Sequence, residues 1–293
     1  MLSLHTNAAA LSAQNSITRT QNTLSTSMTR LSTGFRINSA MDDAAGLQIA
    51  TRLKVQTSGM NVAMRNTQNS ISLLQTAEGA LDEVTSILSR MKDLATQAAD
   101  GSSTANDKTA MQSEFNSLTS ELSNIMTNTK FGGTSLLTKT TGKLAVAAGV
   151  DFQIGADSAE KLNAKFDTSL TAIDTALEAV SADYDGATGA AAGGATTELT
   201  AAANATINIV ATAIDKVSAL RSDLGAVSNR LDHVYNNLAN ISTNTKNATG
   251  RIMDVDFASE SAKMTSSQML LQAGTAMLKQ SNSQSSLVLS LLQ

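Results

Sequence analysis

Residues 77–99, AEGALDEVTSILSRMKDLATQAA, place Ala77, Leu81, Val84, Leu88, Met91, Ala95 and Ala98 at alternating steps of four and three. That spacing is the a/d pattern of a helix with a narrow apolar seam for a partner helix. A match lies far along the chain, in Leu220, Leu224, Val227, Leu231, Val234, Leu238 and Ile241. The two seams share length and step, and the chain must travel out and return between them. They are therefore expected to pack antiparallel. The helical pattern around the first runs over about 44–98, with Ser58-Gly59 as a candidate break, and around the second over about 205–247.

Working outward, the two ends carry thinner stripes. Residues 1–33 read as a helix closed by Gly34, with Leu4, Ala8 and Leu11, then Ile17, Leu24 and Leu31 at steps of seven. Residues 257–284 answer with Met264, Leu271 and Leu278, also seven apart. Neither end has a core of its own, so both stripes read as seams for a partner. Isolated helices of this kind are marginal, and the ends are expected to be disordered in a lone subunit and to order on assembly.

The connecting pieces follow from local signals. Residues 35–43 read as an extended connector, with Asp42 or Asp43 capping the next helix. Asp100-Gly101 ends the first long helix. A further helix spans about 105–128 with Met111, Phe115, Leu118, Leu122 and Ile125 on one face. FGGTSLL at 131–137 is a Gly turn. Residues 138–167 alternate and suggest one or two small β-hairpins, and 168–180 return to a helical pattern. Residues 181–204 read as an exposed low-complexity loop. Asn247–Gly250 is expected to end the second long helix. Arg251–Asp256 then forms a second connector facing the first, with Asp256 capping the last helix and Glu260 in its first turn. The fold class is mainly α: an elongated rod of nested antiparallel coiled-coil helices, roughly 50 Å for the end helix and roughly 80 Å for the middle one, with a small β-hairpin region.

Composition excludes several functions. Aromatics are 3% of the 293 residues and Trp is absent, so Ala, Leu, Ile, Val and Met must do the packing. Cys is absent, which removes disulfides and thiolate metal sites. The two His, His5 and His233, are far apart without acidic clusters, so no metal or other cofactor is expected. Pro is absent too, so no X-Pro bond interrupts a helix. A net charge of −4 without a basic cluster argues against nucleic acid. No apolar run approaches the roughly 20 residues needed to cross a bilayer, so no membrane insertion is expected. The N-terminus lacks the features of a Sec signal peptide. By itself that suggests a cytoplasmic protein, and it leaves open an export route without a cleaved signal. No nucleophile–base pair, metal cluster or phosphate loop is present, so the chain does not read as an enzyme.

Four blocks carry a family resemblance: LSTGFRINSAMDDAAGLQIA at 31–50, FGGTSLL at 131–137, LRSDLGAVSNR at 220–230 and LQAGTAMLKQSNSQSSLVLSLL at 271–292. In this order, over 1–137 and 207–293, they closely resemble bacterial flagellin. The chain departs from larger members in its short middle, and at 281–286, SNSQSS, where the family commonly places a Pro. The resemblance implies a short flagellin without separate outer variable domains, a subunit that polymerises into the filament used for motility. It implies a terminal-helix inner domain at 1–42 with 255–293 and a coiled-coil outer domain at 43–180 with 205–254. The residues of the polymerisation seam would be Leu4, Leu11, Ile17, Leu24, Leu31, Met264, Leu271 and Leu278. The implied location is the extracellular flagellum. The implied partners are other copies in a helical homopolymer, an export chaperone, the flagellar type III export machinery, and the filament cap and hook-junction proteins.

Two immune readings come with it. SRMKDLATQ at 89–97 looks like the segment bound by the flagellin-sensing Toll-like receptor, with Arg90, Leu94 and Glu114 on its key positions. Ser89 and Asp93 depart from the commonest residues there. Val288, Leu289, Leu291 and Leu292 match the tail read by the intracellular inflammasome sensor. Plainer readings stand beside these. Arg90 and Glu114 are exposed charges and Leu94 is a seam neighbour. Asp42-Asp43 is a helix cap rather than an acid/base pair. The Met residues, Met264, Met269 and Met277 among them, are ordinary packing rather than a chaperone surface. Two alternatives compete with flagellin: a hook–filament junction protein sharing the terminal architecture, and a cytoplasmic helical interaction module.

Overall fold

Helix α1, Ala8–Thr33, begins where the Asn7 side chain accepts the N–H of Ala10 at 3.1 Å. It ends on Gly34, whose φ of 75° is the left-handed stop read from the sequence. Helix α2, Ala44–Ala99, starts under Asp43, which accepts the N–H of Gly46 at 2.8 Å. Helix α3, Ala105–Asn128, carries a reciprocal capping box between Thr104 and Asp107. A tight hairpin pairs β1, Lys130–Phe131, with β2, Thr134–Ser135. A second pairs β3, Val150–Gln153, antiparallel with β4, Lys161–Ala164. There Val150, Phe152, Leu162 and Ala164 form the buried face. Helices α4, Asp167–Val180, α5, Glu198–Ala201, α6, Ala203–Met253, and α7, Phe257–Leu291, complete the order.

This computed structural model describes residues 7–185 and 197–291, and side chains over 7–185 and 197–284. The chain divides into two compact units, Met1–Thr57 with Thr243–Gln293, and Ser58–Ser242.

The second unit holds the main core. All seven seam residues from Ala77 to Ala98 are buried, and Leu220, Leu224, Leu231 and Leu238 are buried with them. Helices α2 and α6 pack against each other. Their direction is fixed by pairs that run oppositely along the two helices. Arg221 Nη1 meets Asp82 Oδ1 at 2.9 Å, and Ser242 Oγ donates to Asn61 Oδ1 at 3.5 Å. The antiparallel expectation therefore holds. Phe115, Leu122 and Met126 of α3 and Leu170, Ile173 and Leu177 of α4 close the same core.

The structure corrects the sequence reading at several points. No break occurs at Ser58-Gly59, because α2 runs through it. The glycine serves a close approach: a Cβ at Gly59 would sit 2.7 Å from Cβ of Ala156. Helix α6 does not stop at Asn247–Gly250 but reaches Met253. Gly250 does not take the left-handed conformation that would end it. The seam also loses Ile241, which is exposed while Ser242 is buried. A straight helix drifts about 20° per heptad from a strict seven-residue repeat. After three heptads Ser242 lies nearer the contact line than Ile241.

The stretch 181–204 is not exposed at its flanks. Ser181, Asp183, Tyr184, Leu199 and Ala203 are buried. Gln112 of α3 accepts the Leu199 N–H at 2.7 Å and donates to Glu198 Oε2 at 2.8 Å. Ser123 Oγ donates to the Asp185 carbonyl at 2.9 Å. The rest of that reading, 186–196, lies outside the described residues.

One carboxyl in this core is unusual. Asp174 is buried on α4 and accepts the Tyr184 hydroxyl at 2.8 Å, while its second oxygen has no partner. Burial pushes its pKa up to about 6, against the Tyr184 hydrogen bond and the Lys139 charge.

Candidate interaction surface

The terminal unit is built on α1 packed against α7. Ile17, Leu24 and Leu31 on α1 and Met264, Leu271 and Leu278 on α7 are half-buried, as expected of facing stripes. Leu11 is exposed and stands off the stripe. Leu4 lies outside the described residues.

The driest positions of the pair are polar, and the seven-residue stripes did not show them. Ser27 falls between Leu24 and Leu31, and Glu260 and Ser267 flank Met264; all three are buried. Ser27 Oγ donates to Glu260 Oε1 at 2.5 Å. Arg30 Nη1 sits 3.9 Å from Glu260 Oε2, and Arg30 Nη2 sits 3.5 Å from Asp42 Oδ1. Arg30 Nε is buried without a partner. At the other end Asn7 Nδ2 donates to the Ser281 carbonyl at 3.3 Å. Between them the Ile17 side chain packs onto the bare backbone of Gly274, where a Cβ would lie 2.9 Å from its Cγ1. The signal available in sequence was the in-between position of each heptad, three or four residues from each stripe member.

The two connectors meet as expected. Phe35 and Asp254 form an antiparallel bridge. The Arg36 N–H donates to the Met253 carbonyl at 2.6 Å, and the Val255 N–H to the Gly34 carbonyl at 3.0 Å. Asp256 caps α7 by accepting the Ala258 N–H at 3.1 Å. Asp42 closes the other connector, and the N–H groups of Ser39 and Asn38 that it accepts hold its carboxyl below the usual carboxylate range. Asp42 and Asp43 each accept backbone N–H groups, in keeping with the capping reading of that pair.

Outward from the seam the terminal unit is apolar at many points. Leu11, Met28, Val55, Met269, Leu270 and Met277 are exposed, so of the three methionines read as ordinary packing only Met264 is even half-buried. In the other unit the exposed large apolar residues among those described are Val62, Val146 and Ile241.

Arg90 and Glu114 lie elsewhere, on α2 and α3. Arg90 donates from Nε and Nη2 to Glu114 Oε1 at 2.9 and 2.7 Å, and both side chains are about half exposed. Leu94 is 1% exposed, so its side chain faces the core and not a partner. Helix α7 carries Val288, Leu289 and Leu291, whose side chains lie outside the described residues, as does Leu292. Among the described residues no group of His, Cys, Asp and Glu is placed to hold a metal ion. No helix among them is long and apolar enough to cross a membrane.

Known proteins match this architecture. Residues 4–142 match the bacterial flagellin N-terminal helical region, and residues 207–292 match the bacterial flagellin C-terminal helical region. The chain is similar to flagellin A of Vibrio anguillarum, 34% identical over 377 residues and covering 100% of both chains. It is likewise similar to polar flagellin C of Vibrio parahaemolyticus serotype O3:K6, 33% identical over 389 residues and covering 100% of both. Both alignments are longer than the 293 residues here, so these relatives carry residues that this chain lacks. A solved structure described as a flagellar hook-associated protein from Vibrio parahaemolyticus shares the fold. Its TM-score is 0.54 at 18% identity, covering 73% of this chain and 100% of that one. The flagellin regions account for both the N-terminal and the C-terminal helices, against the junction-protein and cytoplasmic-module readings. The chain belongs to the bacterial flagellin family, as a structural, non-enzymatic subunit of the extracellular flagellar filament.

Proposed function

We propose that the subunit polymerises with copies of itself through the terminal pair, 1–42 with 255–293, while 43–180 with 205–254 forms a coiled-coil domain. The observation that carries this reading is the concentration of exposed large apolar side chains in the terminal unit. Such side chains are costly in water and mark surfaces that a partner covers. The partner is a second copy, because a filament subunit must present contacts to its own kind. The half-buried stripe residues Ile17, Leu24, Leu31, Met264, Leu271 and Leu278 align the pair, and residues off the stripe meet the neighbour. An export chaperone, the type III export machinery, and the cap and hook-junction proteins belong to the same reading.

The test uses Leu11→Asp with Leu270→Asp. Both side chains are exposed in the single chain, so helix content and the melting curve should match wild type. Addition to wild-type filament fragments, followed by sedimentation, should stop. Normal pelleting of the double variant refutes the reading.

The exposed Arg90–Glu114 pair supports a second role, recognition by the Toll-like flagellin receptor. Leu94 then acts from the core by positioning α2. Receptor-reporter activation should fall for Arg90→Ala and be unchanged for Arg230→Ala, on another helix. Equal activation by the Arg90 variant and wild type removes that role. The tail residues Val288, Leu289, Leu291 and Leu292 are the corresponding proposal for the intracellular sensor.

A further inference from the structure

Among the described methionines, Met64, Met253 and Met264 are half-buried, and the other eight divide by unit. Met60, Met91, Met111 and Met126, all in the unit Ser58–Ser242, are buried. Met28, Met41, Met269 and Met277, all in the terminal unit, are 56%, 97%, 60% and 70% exposed. Met269 lies two residues before the seam residue Leu271, about 200° around the helix, so it faces away from the pair. Leu270 and Val55 stand exposed in the same unit. Thioethers there are accessible in the free subunit and belong to the apolar surface that self-assembly must cover.

We propose that these four methionines are oxidation sites that control assembly: a peroxide converts them to sulfoxides in the free subunit and so blocks its addition to a filament. The inference rests on the self-assembly reading above. In the reaction the sulfur lone pair attacks one peroxide oxygen. An S–O bond forms and the O–O bond breaks. Sulfur loses two electrons, and hydrogen peroxide is reduced to water, which carries off both protons. The product replaces a flexible apolar group by a polar one with a strong acceptor oxygen. Water satisfies that oxygen in the free subunit. A dry contact with a neighbouring copy does not. Once a neighbour covers the thioether the oxidant cannot reach it, so assembled subunits are protected. The lesion is reversible, because methionine sulfoxide reductases remove the oxygen.

The experiment treats full-length free subunits and preformed filaments with hydrogen peroxide in parallel. Peptide mass spectrometry locates the sulfoxides, and seeded elongation measures growth. In free subunits Met41 should oxidise first, with Met277, Met269 and Met28 following, and the four buried methionines last. Oxidised subunits should keep their helical circular dichroism and elongate at least about tenfold more slowly. Reductase treatment should restore growth. A variant with all four replaced by Leu, a volume-conserving change, should elongate after peroxide as before it. Oxidised wild-type subunits that grow at the untreated rate overturn the inference. So does a four-Leu variant that loses growth as wild type does, or oxidation that is no faster at these four than at the buried methionines. Untreated wild-type subunits that fail to add to seeds refute self-assembly itself, and the inference falls with it.

Discussion

Replacing Glu260 tests what aligns the terminal helices. Its carboxylate is buried between α1 and α7, with Ser27 Oγ at 2.5 Å, Lys263 Nζ at 3.8 Å and Arg30 Nη1 at 3.9 Å. Glu260→Ala removes a charge-assisted hydrogen bond, worth about 1.5–3 kcal/mol, and leaves the Ser27 hydroxyl buried without its partner. Glu260→Gln keeps an acceptor for Ser27 and loses only the attraction to two cations. Lys263 is well exposed and Arg30 partly so, and pairs of that kind are worth about 0.2–1 kcal/mol. An isolated pair of end helices is marginal, so the free energy of pairing is collected during assembly. It then reads out as the critical concentration for elongation from seeds, tenfold for each 1.4 kcal/mol. The Gln variant, which loses two such pairs, should raise that concentration by about 2- to 30-fold, and the Ala variant, which loses the same pairs and the Ser27 bond, by about 10- to 150-fold more. Ser27→Ala combined with Glu260→Ala should cost less than the sum of the two changes, since the orphaned hydroxyl is then gone. If Ala and Gln raise the critical concentration equally, the Ser27 bond is not what holds the pair.

Two further predictions concern the unit Ser58–Ser242. Leu231→Ala opens a cavity at a fully buried seam position, and should lower the unfolding free energy by about 2–5 kcal/mol; coincident denaturant curves for variant and wild type would place Leu231 outside the core. Asp174 has a folded-state pKa raised from 3.8 to about 6. Its contribution is therefore fully present below about pH 4 and is lost as pH rises through about 6, by at most about 3 kcal/mol. Asp174→Asn should flatten that part of the stability–pH curve, and a slope that survives the substitution assigns it to other groups.

The long-helix seam was legible because its information is local. Each member of Ala77–Ala98 lies three or four residues from the next, and the periodicity alone names the face that must leave water. Helix ends were legible for the same reason, at Gly34 and Asp256 and, to within the choice of Asp42 or Asp43, at the start of α2, where one residue's backbone or carboxylate decides the matter. The flagellin blocks suggested the role proposed for the ends, which periodicity could not.

What the tertiary structure alone decided are the pairings between distant residues. A serine and a glutamate separated by 233 positions share the driest place in the terminal seam, and neither belongs to an apolar stripe. Gln112 ties down Leu199 from 87 residues away, which turns the edge of a low-complexity tract into packed core. Leu94 is a seam neighbour by spacing but a buried core residue in the fold, with α3 beside that stretch of α2 through the Arg90–Glu114 pair one turn away. Ser242 displaces Ile241 because two straight helices drift out of a strict seven-residue register. Periodicity states that a face must be buried. Which polar group finds its partner there depends on where the other helix stands, and that position is set by the whole chain.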